Sequence, residues 1–226
     1  MSSIKRTIVV ALAALAAYAS PIAQASEIDY SFDFSVRFMS DDLSGGPINP
    51  GDRGTMTFRV DAATPSDQGG IGWARYSGSI IGGGVTIGSL AWTFGGHADN
   101  YVVIWNDQPV FNLLLEGIDF EAPVDGPTIN DFYPVSISAM LLHFGTVPSD
   151  ALTSLSFPTS LDLADFDAAA NGAFYFSYGL NFGYYLDLHD VRVTPEPPTP
   201  LLFALALATM MYAAATASRA ARARPS

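Results

Sequence analysis

The groups able to do chemistry in this chain of 226 residues are three histidines, 22 carboxylates and its hydroxyls, because there is no cysteine. His97, His143 and His189 are dispersed, without the H-x-x-x-H or H-x-H spacing that sets two imidazoles on one metal, and no G-x-S-x-G elbow presents a serine nucleophile. Neither a zinc hydrolase nor a serine hydrolase is expected. Among the acids, Glu116, Asp119 and Glu121 cluster at a strand end. Glycosidases act with two carboxyls flanking a sugar bond, so Glu116 paired with Glu121 or Asp119 is the enzymatic alternative. Asp162, Asp165 and Asp167 form the densest acidic group and are a candidate set for Ca²⁺, the one cofactor weighed; no EF-hand loop is present, and a short helical turn with acids at its N-terminus is the favoured account. Tyr175, Tyr185 and Asp187 share the polar face of a late hairpin, where exposed rings beside amides and carboxylates would stack and hydrogen-bond a glycan. Gly82-Gly83-Gly84 is no phosphate loop, since Ile87 stands where a third glycine is required and no helix follows.

These groups need elements to hold them, and period-two alternation dominates the middle of the chain. Ile28, Tyr30, Phe32, Phe34, Val36 and Phe38 alternate with polar neighbours, as do Met56, Phe58 and Val60, and then Leu90, Trp92 and Phe94. Each predicts a strand with one apolar face. Further strands are expected over 74–81, 101–105, 110–116, 135–142, 173–182 and 184–193. Clusters of Gly, Pro, Asp and Asn separate them, including 64–72, 82–84 and 122–130. Nine such strands predict an all-β domain, an antiparallel β-sandwich or jelly roll, over residues 26–193. The only helical signal is the short stretch 162–170.

Charge is unevenly placed. From Ser26 to Thr194 there are five arginines and no lysine against 21 acids, a formal charge of −16. Phosphate backbones need a basic footprint, so nucleic acid is excluded as an expected partner. Residues 1–25 read as a signal peptide: Lys5 and Arg6, an apolar run from Ile8 to Tyr18, then Ala23-Gln24-Ala25, with small Ala23 and Ala25 ahead of the cut. Residues 201–218 contain the apolar stretch Leu201 to Ala217, roughly 25 Å long as a helix and short but sufficient as a transmembrane span. The basic tail 219–226, with Arg219, Arg222 and Arg224, would stay cytoplasmic and leave the acidic middle on the far side. Between domain and span, the joint 194–200 has four prolines in six positions, which is expected to give an extended strip outside any sheet.

Pro195-Glu196-Pro197, an apolar span and an arginine cluster, in that order, resemble the PEP-CTERM sorting signal of Gram-negative bacteria. Pro198 and Pro200 replace the serine and aliphatic residue common there, and alanines intersperse the arginines. The order of features ahead of it, an aromatic strand, Gly54-Thr55-Met56-Thr57-Phe58 and the segment 161–167, is similar to a β-rich domain found before such tails. The resemblance implies an exosortase-type processing enzyme as partner, transient membrane anchoring, and delivery to the cell surface or the extracellular polysaccharide matrix of a biofilm, with surface glycans as further partners. The expectation is a non-enzymatic exported protein. The alternatives are the glycan-cleaving enzyme and a permanently anchored single-pass protein.

Overall fold

In the computed structural model, residues 27–95, 98–176, 182–196 and Thr209 are described. Eleven strands follow one another: β1 (Glu27–Met39), β2 (Arg53–Asp61), β3 (Gln68–Gly70), β4 (Trp73–Ser77), β5 (Ile80–Ile87), β6 (Leu90–Phe94), β7 (Tyr101–Val110), β8 (Leu113–Pro123), β9 (Pro134–Gly145), β10 (Ala169–Phe176) and β11 (Gly183–Pro195). Every pairing is antiparallel, and all eleven join one sheet in the order β3-β4-β7-β8-β9-β10-β11-β1-β2-β5-β6. The all-β, antiparallel expectation therefore holds at that level.

Alternation decides which way each strand faces. Ile28, Tyr30, Phe32, Phe34 and Val36 of β1 are buried, as are Met56, Phe58 and Val60 of β2 and Trp92 and Phe94 of β6. A lone sheet leaves such a face wet, and this one solves the problem by curling over on itself. Phe58 of β2 stacks on Phe120 of β8 at 5.1 Å, and Trp92 of β6 meets Phe174 of β10 edge-on at 4.9 Å. Both pairs join strands five places apart in the sheet order. The edge strand β6 is also bridged to the segment after β8, where Thr93 and Asp125 exchange two 2.9 Å backbone hydrogen bonds. The open end of the interior is covered by the segment 146–168, which buries Leu152, Phe157 and Phe166. Polar side chains pin it: Tyr30 donates to the Pro158 carbonyl at 2.6 Å, Tyr76 to that of Leu155, and the Leu152 N–H donates to the Glu116 carboxylate.

Several element boundaries differ from the sequence expectation. The glycine triplet 82–84 is a strand interior instead of a break: Gly83, at φ +147°, lies where a Cβ would sit 2.0 Å from the Thr57 carbonyl, with the Phe94 ring packed beside it. The supposed strand 110–116 is split by the β7–β8 turn at Phe111 and Asn112, because an apolar residue, Phe111, occupies the turn at φ +55° and hides it. The supposed helical stretch 162–170 is one 3₁₀ turn, Leu163–Asp165, followed after three residues by β10. The joint is corrected too. Thr194 and Pro195 complete β11, with Pro195 opposite Ile28. Beyond Asp187 the other flank of β11 has no ladder partner among the described residues, since β10 pairs only with 183–187, and a proline is tolerated on such an open edge.

No helix among the described residues is long and apolar enough to cross a membrane. The expected signal peptide with Ala23 and Ala25, the span 201–218 apart from Thr209, Pro197, and Arg219, Arg222 and Arg224 lie outside the described residues, as does His97.

Candidate functional site

The outer face of the sheet carries a groove of about 390 Å³ across β8, β9, β10, β11 and the end of β1. Register explains it. Glu121, Ser138, Ala173 and Tyr185 stand in one cross-strand row, and Asp119, Met140, Asn171 and Asp187 in the next. Small Ser138 and Ala173 make a low floor between larger neighbours. Ala173 points outward yet is only 6% exposed, which shows how far the walls rise around it.

One wall is the work of a β-bulge. Between Val36 and Phe38 the β1–β11 register shifts, so the expected alternation breaks and Phe38, 45% exposed, leaves the core. Its ring stacks on Tyr185 at 4.1 Å with an interplanar angle of 16°. Arg37, the neighbouring residue, lies over the Phe38 ring and pairs with Asp187 at 3.5 Å. The structure thus brings together Tyr175, Tyr185 and Asp187, the three residues singled out for glycan contact, and adds four that sequence reasoning missed for this role: Arg37, Phe38, Ser138 and Asn171. Phe38 could not have been found by pattern, because a regular strand would have buried it.

The opposite wall is acidic. Asp119 and Glu121 alternate on β8 and both line the groove. Burial, and then the neighbouring Glu121 charge, push the Asp119 carboxyl up to about 7. Tyr101 donates a short hydrogen bond to Glu121, and its phenol is raised by burial first and by that carboxylate second. The Tyr175 phenol is raised too, by burial and then by Tyr185, Glu121 and Asp119, so these groups share one field.

Glu116 is not part of this wall. It lies three residues from Asp119 and five from Glu121, so the pleat turns it to the inner face, where it is 1% exposed. One carboxylate oxygen accepts from Leu152 N–H and the other has no partner among the described residues. The structure separates Glu116 from both Asp119 and Glu121. The calcium candidates are likewise parted: Asp162 accepts from Ala164 N–H at 2.9 Å as the cap of the 3₁₀ turn, Asp167 contacts His143 Nδ1 at 2.6 Å, and Asp165 is exposed. Among the described residues no group of three or more acids or histidines converges to hold a metal.

A second, shallower groove of about 590 Å³ lies on the same face between β11, β1, β2 and β5, lined by Asp33, Arg53, Thr55, Thr86, His189 and Asp190. At its margin Ser35 Oγ and His189 Nε2 are 2.7 Å apart. Sequence could not join residues 154 positions apart without the β1–β11 register. A nucleophile needs its histidine oriented by a third group, and no carboxylate is bonded to the other ring nitrogen of His189 among the described residues.

Compared with known proteins, the chain matches no family model, no curated protein and no solved structure.

Proposed function

We propose that this protein is an exported, non-enzymatic glycan-binding protein of the cell surface or extracellular matrix, and that the groove at Tyr175 and Tyr185 is its binding site. The observation that carries this reading is the Phe38–Tyr185 ring stack at the lip of a polar groove. Sugar rings present apolar C–H faces to aromatic planes and hydroxyls to carboxylates and amides. Asn171, Asp187 and Arg37 offer both donors and acceptors around the stack. In architecture we read the curled sheet as a jelly-roll-like sandwich whose two leaves are one continuous sheet. The address rests on the resemblance of residues 194–226 to the PEP-CTERM signal, with an exosortase-type enzyme as processing partner.

A glycan array probed with the wild-type chain and with Tyr185→Ala tests the binding. Binding that disappears in the variant is expected, and an array without any binding would remove the reading. Mass spectrometry of the mature protein tests the address: an intact segment 201–226 would make it a permanently anchored protein instead.

One observation favours a second reading. Asp119, whose carboxyl burial pushes up to about 7, sits two residues from Glu121 in the same groove, and two carboxyls flanking a sugar bond, one of them with a raised pKa, are the arrangement glycosidases use. Release of reducing ends from an oligosaccharide, abolished in Asp119→Asn, would establish it.

A further inference from the structure

The charge of the groove selects among glycans, and the choice rests on the glycan-binding reading above. Five arginines serve the whole unit, and the structure accounts for four of them. Arg59 holds Asp29 at 2.9 Å, Arg192 holds Asp33 at 2.7 Å, Arg75 lies 4.1 Å over the Tyr101 ring, and Arg37 is taken by Asp187. Arg53 lines the other groove. Among the described residues the one cation lining the Tyr175–Tyr185 groove, Arg37, is therefore already paired. Asp119 and Glu121 face the same space two residues apart; Glu121 accepts from Tyr101, and Asp119 makes no hydrogen bond or ion pair among the described residues.

We infer that the groove takes a saccharide carrying free amines, a partly or fully de-N-acetylated hexosamine chain, with an ammonium group seated between Asp119 and Glu121 and a sugar ring against Tyr185. Burial and the neighbouring Glu121 keep a proton on Asp119, and an ammonium placed between the two carboxyls supplies the positive charge that lets that proton leave to water. A uronic acid would bring further negative charge to an acidic wall, and a neutral sugar would leave the pair as it is. The walls supply the shape, since the floor at Ser138 and Ala173 is low enough for a ring to lie over it.

The test is calorimetry of the full chain in detergent at pH 6 and low salt, against hexamers of glucosamine, of N-acetylglucosamine and of galacturonic acid. The glucosamine hexamer is expected to bind at least about tenfold more tightly than the N-acetylated one. That ratio should collapse in the Asp119→Asn/Glu121→Gln double variant and persist in the remote control Asp165→Asn. Arg37→Gln, which releases Asp187, should widen it. Tyr185→Ala should weaken the glucosamine hexamer as well, and an unchanged affinity there would mean diffuse attraction to an acidic surface and overturn the inference. Equal or tighter binding of the neutral or acidic hexamer, still lost in Tyr185→Ala, would overturn the charge selection and leave the sugar groove standing. Affinity that follows added calcium and vanishes with chelator also overturns it. If no hexamer binds, the glycan reading itself falls.

Discussion

The two faces of this sheet obey different rules. The inner face is uniform: aromatic and aliphatic side chains at every second position, with Phe120 at a centre where Tyr30, Phe32 and Phe58 all lie within 6 Å. The outer face is made of local arrangements, ion pairs in one place, a ring stack in another, an acidic wall in a third. Burial explains the first because it needs only apolar residues at the right period. The proposed site lies on the second, where a single bulge at Val36–Phe38 changes which residues meet.

Truncating the centre of the inner face should give the largest effect. Phe120→Ala is expected to cost about 3–5 kcal/mol of stability, measured by denaturant unfolding, while any folded fraction keeps the proposed glycan affinity. A comparable loss of affinity at low temperature would mean that the two faces are not separable. Glu116 is the inner face's polar exception, and Glu116→Ala should cost about 2 kcal/mol by removing the acceptor of Leu152 N–H. The expected readout is protease nicking within 146–168, with the sheet intact. Loss of the whole fold would show that this cover is integral to the core.

On the outer face the sign reverses. The folded pKa of Asp119 is raised to about 7 from its ordinary 3.8, so the folded state binds this proton more tightly than the unfolded chain does. Stability from this group is therefore present below about pH 4 and lost as pH rises towards 7. Asp119→Asn should gain on the order of 2 kcal/mol at pH 8, after discounting for partial solvent exposure, and little at pH 4.5. Equal melting temperatures for variant and wild type at both pH values would place Asp119 in open water. The smallest effect belongs to the β7–β8 turn. Phe111 is fully exposed at φ +55°, so Phe111→Gly should gain up to about 1 kcal/mol by relieving a left-handed conformation that disfavours a side chain. A loss would mean that the exposed ring contributes more than its backbone costs.

The inner face was legible because its signal is repeated along each strand. Six alternating residues in β1 leave little ambiguity, and only Phe38 escaped, through a bulge that no local pattern announces. Boundaries were harder where one residue type has two uses. Glycines 82–84 look like a break, yet Gly83 is required by close approach to β2 and to Phe94. Phe111 looks like a strand residue, yet it turns the chain. For the groove, Tyr175, Tyr185 and Asp187 could be chosen from hairpin alternation alone, because they sit on two neighbouring strands. Arg37, Ser138, Asp119 and Glu121 join them only through the pairing of β8 with β9, β9 with β10, and β11 with β1. Glu116 shows the reverse error: nearness in sequence to Glu121 suggested partnership, whereas odd spacing in a strand puts two residues on opposite sides.

Ile28 and Pro195 lie side by side in the ladder. Entry and exit of the folded unit are therefore about one strand spacing apart, roughly 5 Å. A few glycines would close the polypeptide into a ring, and the ring could be reopened at the exposed Phe111–Asn112 tip to give a circular permutant with every strand pairing kept. By the same geometry the unit can be spliced into a surface loop of another protein without prying that loop apart.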